Sequence, residues 1–367
     1  MSTVGTAPRP RPELERLPVY RAGRPPADVP GLVGHKLSSN ENPFGPLPEV
    51  AAAVRDALAL NRYPDATAAP LREALADVLS APVDGIVAGA GSLDVLNKIL
   101  AAFAGRRADG TPDEVIFAWR SFESYPISVG LSGAKAVPVP LTPEGRHDLD
   151  AFLAAITDRT RVIILCTPNN PTGPALSGTE LDAFLERVPA DILVVIDEAY
   201  VEFVRESDAV DALATVRDRP NAVALRTFSK AHGLADLRVG YAVGHPDVIA
   251  SVQRGAVPFA VSTVGQAAAI ASLNAMPRVL ERVEAIVVER ERVVAELRSR
   301  GWVIPDAQGN FFWLPLGEQA EAFADAALDA ALSVRAFPGD GVRISIGSPE
   351  ANDRVLDLCD HWAGAAA

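Results

Sequence analysis

Beyond about residue 86 the chain alternates short apolar runs with longer amphipathic stretches. The runs at 86–88, 114–118, 161–166, 192–196, 222–225 and 239–243 show no clean in-and-out alternation, which predicts strands covered on both faces. Between them, 93–103 and 179–188 carry apolar residues at helical spacing. Strand-helix order of this kind predicts an α/β protein whose large domain has a mostly parallel sheet sandwiched by helices. Upstream, one helix is expected from near Leu47 to Leu60 and another over 69–79. Downstream, 266–300 reads as helix with a break at Pro277 and a stop at Gly301. Strands at 311–316 and 342–346 and helices at 320–331 and 353–362 follow. The expected organisation is a proline-rich N-terminal arm (1–36), a large domain (37–259) and a smaller α+β domain (260–367) that packs with the arm. Residues 363–367 are expected to fray.

Charge and composition narrow the function. With 34 Lys+Arg against 47 Asp+Glu, the formal net charge is −13, which argues against a nucleic-acid surface. No run approaches the ~18 apolar residues of a membrane span. Cys166 and Cys359 are too far apart for a disulfide framework or a zinc site and read as structural. The five histidines show no metal-ligand spacing. A cytoplasmic enzyme fits these features.

Lys230 is the most informative residue. Only Lys36, Lys98, Lys135 and Lys230 are lysines, and Lys230 follows the apolar run Asn221-Ala222-Val223-Ala224-Leu225. Thr227, Ser229 and Arg238 surround it in sequence, a setting able to hold an amine partly neutral for attack on a carbonyl. By itself it also reads as a surface lysine in a turn. Gly89-Ala90-Gly91-Ser92 lies between a run and a helix, where small residues and first-turn amides attract an anion, though ordinary capping gives the same pattern. Cys166-Thr167-Pro168-Asn169-Asn170-Pro171-Thr172-Gly173 closes a strand with a rigid turn that aims an asparagine amide above the sheet. Ile192-Leu193-Val194-Val195-Ile196-Asp197-Glu198-Ala199-Tyr200 ends an apolar strand in an acid. That acid is either a helix cap or a partner for a buried cation.

Taken together, these motifs resemble the fold-type I pyridoxal-phosphate aminotransferases of the histidinol-phosphate aminotransferase group. Within it they look most like the actinobacterial aromatic amino acid aminotransferases. The likeness includes Leu14-Glu15-Arg16-Leu17-Pro18-Val19-Tyr20, Leu37-Ser38-Ser39-Asn40-Glu41-Asn42-Pro43, Asn61-Arg62-Tyr63-Pro64-Asp65, Trp119-Arg120-Ser121-Phe122-Glu123 with Tyr125, and Gly341-Val342-Arg343-Ile344. The resemblance implies pyridoxal 5'-phosphate as cofactor and residues 37–259 as its domain. Lys230 would carry the cofactor and shuttle the proton at the substrate Cα. Asp197 would pair with the ring nitrogen, Asn170 and Tyr200 would bond its phenolic oxygen, and Phe122 would stack on the ring. Gly91, Ser92, Thr227, Ser229 and Arg238 would form the phosphate cup, with Tyr63 added by the other subunit of a homodimer. Arg343, helped by Asn40, would clamp the substrate α-carboxylate.

The implied reaction is reversible transamination of an amino acid with 2-oxoglutarate. Tyr20, Tyr125 and Phe259 could wall an aromatic side chain. Arg335 could bind the phosphate of histidinol phosphate or the distal carboxylate of glutamate. Aromatic amino acids are the expected substrates, and histidinol phosphate is the alternative. More distant alternatives are decarboxylation on the same scaffold and an inactive binding protein. One departure stands out: Asp236 replaces the group's usual glycine in Gly233-Leu234-Ala235-Asp236-Leu237-Arg238. It matters if that position needs positive φ; it is harmless if it faces solvent. His232, where an aromatic is usual, reads as a neutral shape substitute.

Overall fold

The computed structural model describes residues 8–11, 14–20 and 22–366; the rest of the expected arm and Ala367 lie outside the described residues. A two-residue strand, β1 (His35–Lys36), precedes the seven strands of the main sheet. These are β2 (Ile86–Gly89), β3 (Glu114–Trp119), β4 (Lys135–Pro140), β5 (Thr160–Cys166), β6 (Leu193–Asp197), β7 (Ala222–Thr227) and β8 (Gly240–Gly244). Short strands β9 (Phe311–Leu314), β10 (Leu332–Ser333), β11 (Arg335–Phe337) and β12 (Gly341–Ser345) follow. Helices α1 (Pro48–Asp56), α2 (Ala69–Leu79), α3 (Ser92–Phe103), α4 (Ser124–Ser132), α5 (Leu149–Ala154) and α6 (Gly178–Leu185) lie in the first half. Helices α7 (Ala212–Asp218), α8 (Pro246–Arg254), α9 (Thr263–Asn274), α10 (Met276–Ser299), α11 (Ala320–Asp329) and α12 (Pro349–Ala366) complete the chain.

The main sheet runs β2-β8-β7-β6-β5-β3-β4, and every pairing is parallel except those of β8 with its two neighbours. The missing alternation in the sequence now has its cause. Val162, Ile164 and Val195 pack with Leu96 of α3 and Val129 of α4 on one face. Ile163, Leu165 and Ile196 pack with Phe152, Phe184 and Phe203 on the other. Each such side chain contributes roughly 1.5–3 kcal/mol by leaving water, so both faces favour apolar residues. α6 begins with a reciprocal capping box, the Ser177 hydroxyl accepting from the Glu180 amide and the Glu180 carboxylate accepting from the Ser177 amide.

One strand is added and two expectations need correction. Strand β4 is an addition, because Lys135-Ala136-Val137-Pro138-Val139-Pro140 looks like a loop; it lies at the sheet edge, where proline's missing N–H costs no ladder bond. α1 stops at Asp56, short of Leu60, because Leu58 and Leu60 have no core to enter and are 58% and 83% exposed. α12 continues to Ala366, through most of the stretch expected to fray, in an alanine-rich tail of high helix propensity. The break near Pro277 falls at Ala275, between α9 and α10.

Near the chain's end, β11, β12 and β9 form an antiparallel sheet, and β1 pairs with β10, tying the N-terminal segment to this region. The register sets Arg335 directly opposite Arg343. Cross-strand partners share a face, so both guanidinium groups project to the same side.

Candidate active site

Strands β2, β3, β5, β6 and β7 run in one direction, so their carboxyl ends meet along one edge of the sheet, where α/β proteins gather ligands. A cavity of about 540 Å³ opens there. Its lining brings together Lys230, Asp197, Asn170, Tyr200, Phe122 and Ser92. Thr227, Ser229, Arg238, Arg343, Arg335 and Tyr20 also reach it. These come from segments spread over 324 positions of sequence, Tyr20 to Arg343, and only the fold explains their meeting.

Asp197 ends β6 opposite Cys166 of β5. Its Oδ2 accepts the Tyr125 hydroxyl at 2.7 Å, whereas its buried Oδ1 has no partner among the described residues. Burial pushes this carboxyl up to about 6, with the Tyr125 hydroxyl and a backbone amide acting the other way. A buried carboxylate oxygen left bare beside a cavity suits a cationic N–H, such as a protonated pyridine nitrogen. Tyr125 therefore does not wall the substrate: it is fully buried behind Asp197.

Lys230 Nζ donates to the carbonyls of Ser39 and Asn40 at 3.1 and 3.2 Å. Burial, reinforced by the Arg343 charge, pushes its ammonium down to about 7. Asn42 holds the lysine's backbone, donating to the carbonyls of Lys230 and Ala231. That role was visible only as a second asparagine beside Asn40. Asn40 lies behind the lining and donates to the Tyr200 hydroxyl at 3.1 Å.

The anion cup is built at the start of α3. Gly91 has φ +89°, and a Cβ there would strike the Arg238 guanidinium. Gly240 of β8 lies so close to the Ser92 backbone that it too admits no side chain. Asp94 accepts from the Ala90 amide at 2.8 Å and pairs with the buried Lys98, fixing the loop. Arg238 Nη1 donates to the Ala235 carbonyl at 2.9 Å and approaches the Ser229 hydroxyl, which also accepts from Thr227. Asp236 is exposed and has no positive φ, so its replacement of glycine leaves this geometry alone. His232 meets Ser272 at 2.8 Å, and burial lowers its ring to about 4, as a neutral shape substitute requires.

Arg343, on β12, donates to Asn170 Oδ1 at 2.6 Å and to the Ser38 carbonyl at 2.7 Å, while its buried Nε has no partner among the described residues. Arg335 is paired with Glu123 at 2.6 Å. Two aromatics lie elsewhere: Tyr63, 84% exposed, stacks on Phe259 with ring centroids 4.7 Å apart, and neither lines the cavity of its own chain.

A covered, mostly parallel sheet, a lysine of lowered pKa, a bare buried carboxylate and an anion cup at a helix start define a fold-type I pyridoxal-phosphate enzyme. The residues fit that cofactor at its ring nitrogen, its phosphate and its lysine. The family model of aminotransferase class I and II matches residues 34–358, and the chain belongs to that family: it is a pyridoxal-phosphate-dependent aminotransferase. It is 50% identical over 358 residues to the aromatic amino acid aminotransferase of Streptomyces avermitilis, covering 97% of this chain and 98% of the relative. The aromatic amino acid aminotransferase of Thermobifida fusca is 51% identical over 349 residues, covering 95% of each. Among solved structures, histidinol-phosphate aminotransferase from Sinorhizobium meliloti in complex with pyridoxal-5'-phosphate superimposes with a TM-score of 0.86 at 26% identity, covering 100% of both chains. No described helix is long and apolar enough to cross a membrane.

Proposed function

We propose that this aminotransferase moves the amino group between aromatic L-amino acids and 2-oxoglutarate, acting in the cytoplasm as a homodimer with shared sites. The observation that carries the substrate choice is the Arg335–Glu123 pair. With Glu123 in place the side-chain end of the cavity is locally neutral, which accommodates an uncharged aromatic group. The names of the relatives at about half identity support the same reading.

When bound, pyridoxal phosphate supplies the carbonyl that takes up the amino group and an electron sink for charge at the substrate Cα. The chain's own residues do the rest. Lys230, with its amine near neutrality at physiological pH, takes and returns the proton at Cα. Asp197 Oδ1 holds the ring-nitrogen proton, while Asn170 and Tyr200 hold the phenolic oxygen. Phe122 covers the ring face. Gly91, Ser92, Thr227, Ser229 and Arg238 hold the phosphate, and Tyr63 reaches it from the neighbouring subunit. Arg343, held by Asn170 and the Ser38 carbonyl, binds the α-carboxylate. The cofactor domain is 37–259, and 260–367 with the N-terminal arm forms the smaller domain that delivers both arginines.

The test is a side-by-side comparison of kcat/KM for phenylalanine and histidinol phosphate with 2-oxoglutarate as acceptor. A clear preference for phenylalanine is expected; the reverse preference would replace this reading with the histidine-pathway one.

A further inference from the structure

We propose that Glu123 is a specificity-determining residue: it holds Arg335 while an uncharged side chain occupies the site and yields it to a substrate with a second carboxylate. This rests on the transamination reading above, in which aromatic and dicarboxylic substrates use one cavity in alternate half-reactions.

The sheet register supplies the first argument. Arg335 and Arg343 are direct cross-strand partners, and both line the same cavity. A dicarboxylate held at its α-carboxylate by Arg343 therefore meets Arg335 with its distal group. Like charges directly opposite each other in a sheet repel, so Arg335 needs an anion at all times, from the protein or from the substrate.

The pair's geometry supplies the second argument. A single oxygen, Glu123 Oε2, accepts from both Nη2 at 2.6 Å and Nε at 3.2 Å. This is not the two-oxygen fork that makes arginine–carboxylate pairs strongest, and a substrate carboxylate presenting both oxygens competes with it favourably. Glu123 stands at the N-cap of α4, yet its side chain makes no capping bond; it is committed to Arg335 instead. The Glu123 side chain is 31% exposed and Arg335 12%, so the carboxylate is the member able to swing into water. Both residues also border a neighbouring cavity of about 800 Å³, which gives the displaced carboxylate room.

The experiment uses the cofactor-loaded enzyme and follows each half-reaction separately, with L-phenylalanine and with L-glutamate, in wild type and Glu123→Gln. The expected result is a rise of about tenfold in the glutamate-to-phenylalanine ratio of kcat/KM, the scale of one charge-assisted bond no longer contested. Succinate should inhibit the phenylalanine half-reaction at correspondingly lower concentration. An unchanged ratio, or an equal fall for both amino acids, would overturn the proposal and leave Glu123 a structural brace. If Glu123→Gln lowers the melting temperature, Glu123→Asp, which shortens the arm but keeps the charge, is read by the same ratio with a smaller expected rise. Wild-type turnover of phenylalanine tests the substrate reading on its own, so the two failures are separable.

Discussion

Tyr125 and Asp197 are joined by a 2.7 Å bond across 72 residues of sequence, and it uses only one of the two carboxylate oxygens. The other stays buried and bare. The site thus keeps an unsatisfied acid in its interior, a cost to the cofactor-free protein that the proposed bond to the cofactor's ring nitrogen would relieve.

That cost has a sign and a pH window. The folded Asp197 pKa of about 6 lies above the ordinary aspartate value of 3.8, so between these values the folded state binds more protons than the unfolded chain. Stability then falls as pH rises through the window and stays reduced above it. Asp197→Asn removes the charge while keeping an acceptor for Tyr125. In urea melts of cofactor-free protein, the variant should be more stable than wild type by roughly 3 kcal/mol at pH 8, the gap closing towards pH 4. Cofactor retention should fall sharply. Equal stability at pH 8 would contradict the burial argument.

Lys230 shifts in the opposite sense. Its ammonium is pushed down to about 7, chiefly by burial and then by Arg343. The rate of cofactor uptake by the cofactor-free enzyme should therefore rise with a midpoint near pH 7, followed by absorbance in a pH series. Arg343→Gln removes the largest neighbouring charge, so the midpoint should move upward. A wild-type midpoint near that of a free lysine would mean the amine is not held as the cavity suggests.

Much of this site was legible before the fold. Asp197, Lys230 and Asn170 each follow an apolar run, and a strand's end is where a parallel sheet places its chemistry. The partnerships were not legible. Tyr125 reads as an aromatic like any other, because its bond to Asp197 leaves no periodic trace. Arg335 and Glu123 are 212 residues apart, and only the β11–β12 register shows which guanidinium faces the cavity. Strand β4 is hidden for a related reason: edge position relaxes the demand for apolar residues, so its prolines mimic a loop.

Gly91 offers a test of the anion cup that leaves charge untouched. At φ +89° with the Arg238 guanidinium where a Cβ would stand, Gly91→Ala must both strain the backbone and displace Arg238. A loss of roughly 1–3 kcal/mol in stability is expected. Cofactor dissociation, measured by dialysis, should quicken by at least about tenfold. Asp236→Gly should change neither, since Asp236 is exposed and lacks positive φ.

Arg343→Ala should raise KM for every amino acid by about a hundredfold, the scale of a buried bidentate carboxylate contact. All amino acids share the α-carboxylate, so steady-state kinetics across aromatic and acidic substrates should show a uniform loss. A loss confined to acidic substrates would instead make Arg343 the partner of the distal carboxylate, the part proposed for Arg335.

In the proposed homodimer, Tyr63 would tie the site to assembly. Its hydroxyl has no partner among the described residues of its own chain, while its ring is held on Phe259, whose amide donates to the Ala66 carbonyl at 3.1 Å. A large aromatic that is both braced and 84% exposed is suited to reach a second molecule. Tyr63→Phe keeps the stacked pair and deletes only the hydroxyl, so light scattering should still report a dimer. The dissociation constant for pyridoxal phosphate should rise about tenfold, the value of one hydrogen bond to a charged group. Retention unchanged in a verified dimer would show that the hydroxyl never crosses to the partner's cup, and the shared-site arrangement would then rest on other residues.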